Sequence, residues 1–265
     1  MNLEDRVRKY VDRSFQSDEA EILVLIEESA VAIFTSFPDH FVLFGGATLV
    51  LFYDSPRFSR DLDLFASVTK LPSPEEIQAL VHASIQPIAE TFGLGQLEFR
   101  KYNESDDFVK YWVIANQKPL FSIDLTRIGG SVIRSEIREK IIACERERTV
   151  LTPTANYLLL QKSEVFLDRR HVKARDAFDI HLLLARGASL NDNLQAHLED
   201  FILMKDLDGE FIAARIESID ARLCTVELRS VLPPAVFEEI ARNHFESIRH
   251  SLRTVFLKWL KGNQR

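Results

Sequence analysis

The sequence predicts an α+β protein, with a mixed sheet flanked by helices followed by a mostly helical C-terminal domain. Strand-like and helix-like segments alternate up to about residue 150, whereas nearly every later segment has the apolar spacing of a helix. The chain has no repeat of fixed period and no long Gly/Ser or Pro linker. We therefore predict two domains, residues 1–150 and residues 151–265.

In the first half, a helix is predicted over residues 18–35, where acidic residues precede apolar residues at helical spacing. Residues 41–44 are predicted to form a buried strand that ends at Gly45-Gly46, and a helix is predicted to follow over residues 47–53. Another helix is predicted over residues 74–92. The remaining predicted strands, rich in aromatic or β-branched residues or alternating in polarity, are 61–65, 97–102, 108–115 and 120–125.

In the second half, the first predicted helix begins with Thr152 as its cap and Pro153 at its first position, and it ends near residue 167. A second helix is predicted over residues 174–185. The apolar spacing predicts one long last helix over residues 234–261, with Gly262 just beyond its end.

The composition limits the classes of function. The 265 residues include 33 Lys and Arg against 40 Asp and Glu, a net charge of −7, which argues against extended wrapping of nucleic acid. The two cysteines, Cys144 and Cys224, are far apart and belong to no CxxC pair, so we expect neither a thiolate zinc site nor a disulfide scaffold. The charged N-terminus and the lack of a long apolar run predict a cytoplasmic protein without a membrane span.

The most informative segment is Gly45-Gly46 followed by Asp61-x-Asp63. Side chains two residues apart on a strand point to the same face, so Asp61 and Asp63 should project together. Adjacent carboxylates repel each other unless a cation compensates, and Mg²⁺ or Mn²⁺ that bridges to substrate phosphates is one natural solution. The glycine turn before a helix can bind a triphosphate through backbone N–H groups.

A third carboxylate lies in the segment 121–125, where apolar residues alternate with Ser122 and Asp124. If this strand neighbours the strand of Asp61 and Asp63, three carboxylates converge, and such a trio can hold metal ions and accept a proton from a hydroxyl. Each feature alone also fits an ordinary interpretation. The DxD can be a solvated strand face, the GG only a turn, and Asp124 a surface or salt-bridged residue.

Two pairs of motifs resemble a known family. Residues 44–49 (FGGATL) and 57–65 (RFSRDLDLF) resemble the signature of DNA polymerase beta-like nucleotidyltransferases, in particular the AbiEii/AbiGii toxin branch. Residues 159–162 (LLQK) and 175–184 (RDAFDIHLLL) resemble the lysine-bearing helix of that branch and the aspartate segment that follows it. The resemblance spans about residues 40–185 and implies a nucleotidyltransferase-type sheet with a helical domain that completes the active site.

The resemblance implies an NTP substrate, Mg²⁺ or Mn²⁺ as cofactor, and roles for individual residues. Metal ligands would be Asp61, Asp63 and, less directly, Asp124. The residues implied in nucleotide binding are Gly45, Gly46, Thr48, Arg57, Ser59, Lys162 and Arg175. The catalytic set is Asp61, Asp63, Asp124, Lys162, Asp176 and Asp179, where Asp176 or Asp179 would act as a base or orient Lys162.

The helical motif can also be read from its residues alone. Asp176 and Asp179 are three apart and so share one helix face. A basic cluster precedes them, consisting of Arg169, Arg170, His171, Lys173 and Arg175. It is either a solvated loop whose charges pair with nearby acids or a local patch for nucleotide phosphates or an RNA acceptor. Lys162, likewise, is either a surface lysine or a phosphate ligand.

Three hypotheses on function follow. The first is a metal-dependent nucleotidyltransferase that moves a nucleoside monophosphate from an NTP to a hydroxyl of RNA, a tRNA end or a protein, as the toxin of a toxin–antitoxin or phage-defence system with a cognate antitoxin. The second is a phosphohydrolase with a DxD nucleophile, which fits less well because charged residues precede Asp61. The third is a noncatalytic module that binds a nucleotide or a partner.

Overall fold

The computed structural model divides the chain into two compact units, Met1–Pro153 and Thr154–Arg265. Cys144 and Gly262 lie outside the residues that the structure describes. The described residues are 1–66, 72–105, 107–127, 134–143 and 147–261.

In its described residues, the first unit contains a mixed five-stranded sheet with four α-helices and a separate two-stranded ribbon. The helices are α1 (Leu3–Val11), α2 (Ser17–Ser36), α3 (Gly45–Phe52) and α4 (Pro74–Thr91). The strands of the sheet are β1 (Phe41–Phe44), β2 (Asp61–Ala66), β3 (Leu97–Ser105), β4 (Phe108–Ala115) and β5 (Lys118–Arg127). The ribbon consists of β6 (Ile137–Ile142) and β7 (Arg148–Pro153).

The sheet has the strand order β1-β2-β5-β4-β3. Strands β2 and β5 pair in parallel, whereas the other neighbours are antiparallel. Leu62 and Leu64 are fully buried on one face of β2, and Asp61 and Asp63 alternate with them on the other. Together with the helical second unit, this mixed sheet confirms the predicted fold class.

Helix α1 is joined to α2 by a buried ionic cluster around Glu27. The Glu27 carboxylate accepts from Lys9 Nζ at 2.7 Å and from the Tyr10 hydroxyl, and Arg6 Nε lies 3.4 Å away. Burial and the adjacent Glu27 raise the pKa of Tyr10 well above its ordinary value. Tyr10 and Glu27 are buried and hydrogen bonded to each other, whereas Arg6 also donates to Glu28 Oε2 at 2.9 Å.

The second unit is helical throughout its described part. The predicted helix over 174–185 is observed with those bounds. The helices are α5 (Ala155–Asp168), α6 (Ala174–Ala185), α7 (Asp192–Met204), α8 (Gly209–Glu217), α9 (Ala221–Leu228), α10 (Pro234–Ala241), α11 (Glu246–Val255) and α12 (Leu257–Lys261).

The predicted start of the first helix in this half is wrong. Thr152 and Pro153 end strand β7, where they pair with Arg138 and Ile137. Thr154 is the cap instead, and its hydroxyl accepts from Tyr157 N at 3.2 Å. Both threonines can cap a helix, so the strand pairing decides between them.

The single long helix predicted over residues 234–261 is also wrong, since α10, α11 and α12 replace it. The first break comes at His244 and Phe245, whose φ angles of 54° and 61° are left-handed. Phe245 is buried and packs against Phe237, with ring centroids 5.7 Å apart, and this packing offsets the backbone cost.

The described part of the chain contains no helix that could span a membrane. None of these helices is both long enough and apolar enough to cross a bilayer.

We predict that Glu27→Ala lowers the free energy of unfolding by about 3 kcal/mol, because it leaves the buried Tyr10 hydroxyl without its acceptor and removes one of the carboxylates that Arg6 contacts. Urea unfolding followed by circular dichroism measures this. Glu4→Ala is the control, since Glu4 is exposed at the start of α1, and it should cost less than about 1 kcal/mol. Equal losses in the two variants would contradict the role of the cluster.

Candidate active site

Strands β2 and β5 bring the predicted acidic residues of the first unit together. In their parallel register Asp61 lies opposite Ser122, and Asp63 lies opposite Asp124. The Ser122 hydroxyl donates a hydrogen bond of 2.8 Å to Asp61 Oδ1. The two strands are therefore adjacent, as convergence of the three carboxylates requires.

A lysine that the sequence analysis did not select lies among these carboxylates. Lys110 on β4 is opposite Asp124 in the antiparallel β4–β5 register. Its Nζ lies 2.8 Å from Asp124 Oδ2 and 3.8 Å from Asp61 Oδ1. Lys110 thus supplies a positive charge that compensates part of the repulsion between the carboxylates.

The two oxygens of Asp124 have different surroundings. Oδ2 accepts from Lys110, whereas Oδ1 is buried and accepts no hydrogen bond from the described residues. Burial raises the pKa of the Asp124 carboxyl above its ordinary value, and the hydrogen bond from Lys110 opposes this shift. As the side chains stand, the described residues contain no group of three or more His, Cys, Asp or Glu arranged to hold a metal ion.

Gly45 allows the chain to turn tightly against Asp63. Its φ of +75° is left-handed, and a Cβ atom at this position would lie 2.6 Å from Asp63 Cγ. Helix α3 begins at Gly45, two residues earlier than predicted, so its first N–H groups belong to the glycine turn. Its N-cap residue is Phe44, which has no side-chain oxygen to cap them.

Gly46 packs in a similar way against the segment that precedes β2. A Cβ atom on Gly46 would lie 2.8 Å from Arg57 Nη2 and 3.0 Å from Ser59 Cβ. The GG and R-x-S-x-DLD motifs, which are separate in sequence, are therefore in contact. Thr48 is buried in this region, and its hydroxyl donates to the Phe44 carbonyl at 2.8 Å.

In the second unit, Lys162 on α5 is paired with two aspartates of α6. Its Nζ lies 2.8 Å from Asp179 Oδ2 and 3.7 Å from Asp176 Oδ1. Arg169 Nε lies 2.7 Å from the other oxygen of Asp176. Asp176 and Asp179 are both buried, so the two aspartates hold Lys162 in a defined position.

The basic cluster of the second unit is partly neutralised. Arg169 pairs with Asp176, and Lys173 lies 3.2 Å from Glu227, whereas Arg170 and Arg175 are exposed. A cavity adjoins the cluster and has a positive lining. It is lined by Leu167, Asp168, Arg169, Arg170, Lys205, Leu207, Phe211 and Arg215.

Sequence reasoning missed Lys110 and the bond from Ser122 to Asp61. The available signal was the alternation in β4, where Lys110 and Trp112 share one face between buried apolar residues. That signal identifies the face but not its neighbours, which depend on the strand order β2-β5-β4.

The fold is that of the nucleotidyltransferase class. The model of the family described as "Nucleotidyl transferase AbiEii toxin, Type IV TA system" matches residues 30–256. The chain belongs to this family of nucleotidyltransferase toxins of toxin–antitoxin systems, which confirms the resemblance found in the sequence. No curated protein matches the chain.

The chain is similar to solved structures of low sequence identity. MenT4, a nucleotidyltransferase toxin from Mycobacterium tuberculosis H37Rv, is 13% identical, with a TM-score of 0.53 over 99% of this chain and 97% of MenT4. JHP933 from Helicobacter pylori is 15% identical over 91% of this chain and 94% of that chain, with a TM-score of 0.49. A putative nucleotidyltransferase from H. pylori is 17% identical over 92% and 95%, with a TM-score of 0.48. The likeness to MenT4 supports the fold alone.

We predict that Gly45→Ala destabilises the protein by about 3 kcal/mol or more. An alanine in the left-handed conformation costs about 1–2 kcal/mol, and the steric overlap of its Cβ atom with Asp63 adds to that cost. Gly93→Ala is a matched control, since Gly93 has a φ of +72° and nothing within 4 Å of an added Cβ. Urea unfolding of both variants isolates the cost of the contact. Equal destabilisation would show that Asp63 moves aside freely.

Another prediction concerns Glu164 on α5. Burial raises the pKa of this carboxyl from an ordinary value of 4.5 to about 7. The folded state therefore binds the proton more tightly than the unfolded state, and stability should fall as the pH rises between these two values. Thermal unfolding across this range should show a smaller fall for Glu164→Gln than for the wild type. Parallel curves would mean that the carboxyl is hydrated in the folded state.

Proposed function

We propose that the protein is a metal-dependent nucleotidyltransferase that transfers a nucleoside monophosphate from an NTP to a hydroxyl group and acts as the toxin of a toxin–antitoxin pair. The observation that carries the proposal is the β2–β5 register, which aligns Asp63 with Asp124 on the face that also bears Asp61. The glycine turn at the start of α3 lies beside the same carboxylates, since Gly45 contacts Asp63.

The chemical type of the residues suits a divalent cation, and the three carboxylates would need to turn towards one ion to bind it, since they are not arranged around one as they stand. Carboxylate oxygens are the ligands that Mg²⁺ and Mn²⁺ prefer, and the buried Asp124 Oδ1 accepts no hydrogen bond from the described residues. We propose Asp61, Asp63 and Asp124 as the ligands. When bound, the metal ion would neutralise charge on the triphosphate.

The chain's own groups would bind and orient the nucleotide. The N–H groups of Gly45 and Gly46 would donate to phosphate oxygens, because they belong to the N-terminus of a helix with no cap side chain. Arg57 and Ser59 would support this turn from the side at which they contact Gly46. A carboxylate of the trio would accept the proton of the attacking hydroxyl, and pyrophosphate would leave.

In the second unit we propose Lys162 as a phosphate ligand that Asp176 and Asp179 orient. A lysine has three N–H donors, and the 2.8 Å contact with Asp179 uses one of them. The exposed Arg170 and Arg175 and the basic cavity favour an RNA acceptor, such as a tRNA end, over a protein hydroxyl. A local patch of this kind is compatible with a net charge of −7.

The family adds expectations about the cell. We propose that a cognate antitoxin binds the protein. We also propose that the protein works in the cytoplasm and contributes to phage defence. A noncatalytic module that binds nucleotides on this fold is the second candidate. Intact Asp61 and Asp63 favour the transferase, because a module that only binds would not need both carboxylates.

We predict that Asp61→Asn and Asp63→Asn each lower nucleotidyl transfer by about 100-fold or more, because each removes a carboxylate that the metal requires. The assay incubates the full chain with Mg²⁺, each α-labelled NTP in turn, and total RNA or total protein. The label identifies the base and the class of acceptor.

Asp39→Asn is the control, since Asp39 is exposed and lies before β1. It should transfer label like the wild type. Calorimetric titration with the same NTPs separates the two candidates, because NTP binding without any transfer would support the noncatalytic module. Full activity of the Asp61→Asn and Asp63→Asn double variant would contradict the transferase.

A further inference from the structure

Lys110 is positioned as a counter-cation of the candidate active site. Two register rows cross the strands β4, β5 and β2 in order. One row contains Trp112, Ser122 and Asp61. The other contains Lys110, Asp124 and Asp63. Lys110 is therefore the direct neighbour of Asp124, and Asp63 lies on the far side of Asp124.

The charges around Lys110 explain its position. Three carboxylates on one face of two adjacent strands repel one another, and this repulsion would destabilise the sheet without a cation. The Lys110 side chain is 18% exposed, and its Nζ contacts Asp124 at 2.8 Å and Asp61 at 3.8 Å. It thereby neutralises part of the charge of two carboxylates that a divalent cation would otherwise bind.

The same geometry allows the lysine to leave. Asp61 is 39% exposed, so water or a metal ion can reach its carboxylate from solvent. Lys110 Nζ also lies 5.2 Å from the centroid of the Trp112 ring, whose face attracts a cation. Lys110 makes this ring contact in the same position in which it contacts the carboxylates, so the ring remains beside the ammonium group if a metal ion takes its place.

We propose that Lys110 is a resident counter-cation, which competes with divalent metal for Asp61 and Asp124 and is displaced when the metal arrives bound to the triphosphate. This inference rests on the proposed function and adds to it an order of events. The carboxylates hold little metal before the nucleotide binds. Lys110 acts through the carboxylates and is therefore a positioning residue.

The test measures Mn²⁺ binding to the full chain without nucleotide, by the electron paramagnetic resonance signal of free Mn²⁺. Removal of a positive charge from two carboxylates should strengthen cation binding, so Lys110→Met should lower the Kd for Mn²⁺ by about 10-fold or more. Lys110→Arg should bind Mn²⁺ like the wild type. A non-hydrolysable NTP analogue should strengthen Mn²⁺ binding more in the wild type than in Lys110→Met.

Two controls locate the effect. Lys118→Met removes an exposed lysine of the same sheet and should leave Mn²⁺ binding unchanged. The double variant Lys110→Met with Asp61→Asn should lose the gain. If Lys110→Met does not fold in the absence of metal, refolding in Mn²⁺ becomes the readout: recovery supports the proposal, and failure to recover contradicts it.

Mn²⁺ binding by Lys110→Met that equals or falls below that of the wild type would overturn the inference, because it would make Lys110 a support for the site rather than a competitor. This outcome is separate from failure of the proposed function. The function fails if the wild type transfers no label from any NTP, whatever the effect of Lys110 on Mn²⁺.

Discussion

Repulsion among Asp61, Asp63 and Asp124 is the constraint on which the first unit depends. The parallel β2–β5 register fixes their spacing, and the burial of Leu62 and Leu64 on the opposite face of β2 fixes which way the β2 carboxylates point. A slip of one residue would expose the leucines and bury the carboxylates. Because hydrophobic burial enforces the register, the sheet can hold like charges together at its polar face.

The glycine turn follows from the same constraint. Asp63 is opposite Phe44 in the β1–β2 register, so the first residue after β1 must pass directly beside the Asp63 carboxylate. Only glycine leaves room at position 45, and only glycine adopts its left-handed backbone without cost. A Cβ atom at position 46 would likewise lie too close to Arg57 and Ser59. The spacing of these motifs along the sequence thus reflects one packed cluster rather than separate functions.

Local patterns predicted much of this architecture. The bounds of β1 and α6 and the polar face of β2 follow from periodicity because burial repeats along each element. The errors arise where distant contacts decide. Pairing of Pro153 with Ile137 moves the helix start to Thr154, and packing of Phe245 on Phe237 breaks a helix that no Gly or Pro marks. Lys110 was missed for the same reason, since a lone lysine in a strand identifies a partner only once the strand order is known.

Each unit contains a lysine held by two aspartates, but the two sites differ in burial. Around Lys162 the carboxylates of Asp176 and Asp179 are 3% and 0% exposed, so departure of the lysine would remove a counter-ion from two buried carboxylates that water does not reach. Around Lys110 the Asp61 carboxylate is open to solvent, and another cation can replace the ammonium group. Burial therefore makes Lys162 a fixed cation, which can offer its remaining N–H groups to a phosphate. The two lysines are similarly buried, at 18% and 14% exposed, and the exposure of Asp61 is what makes Lys110 an exchangeable cation whose place a metal ion can take.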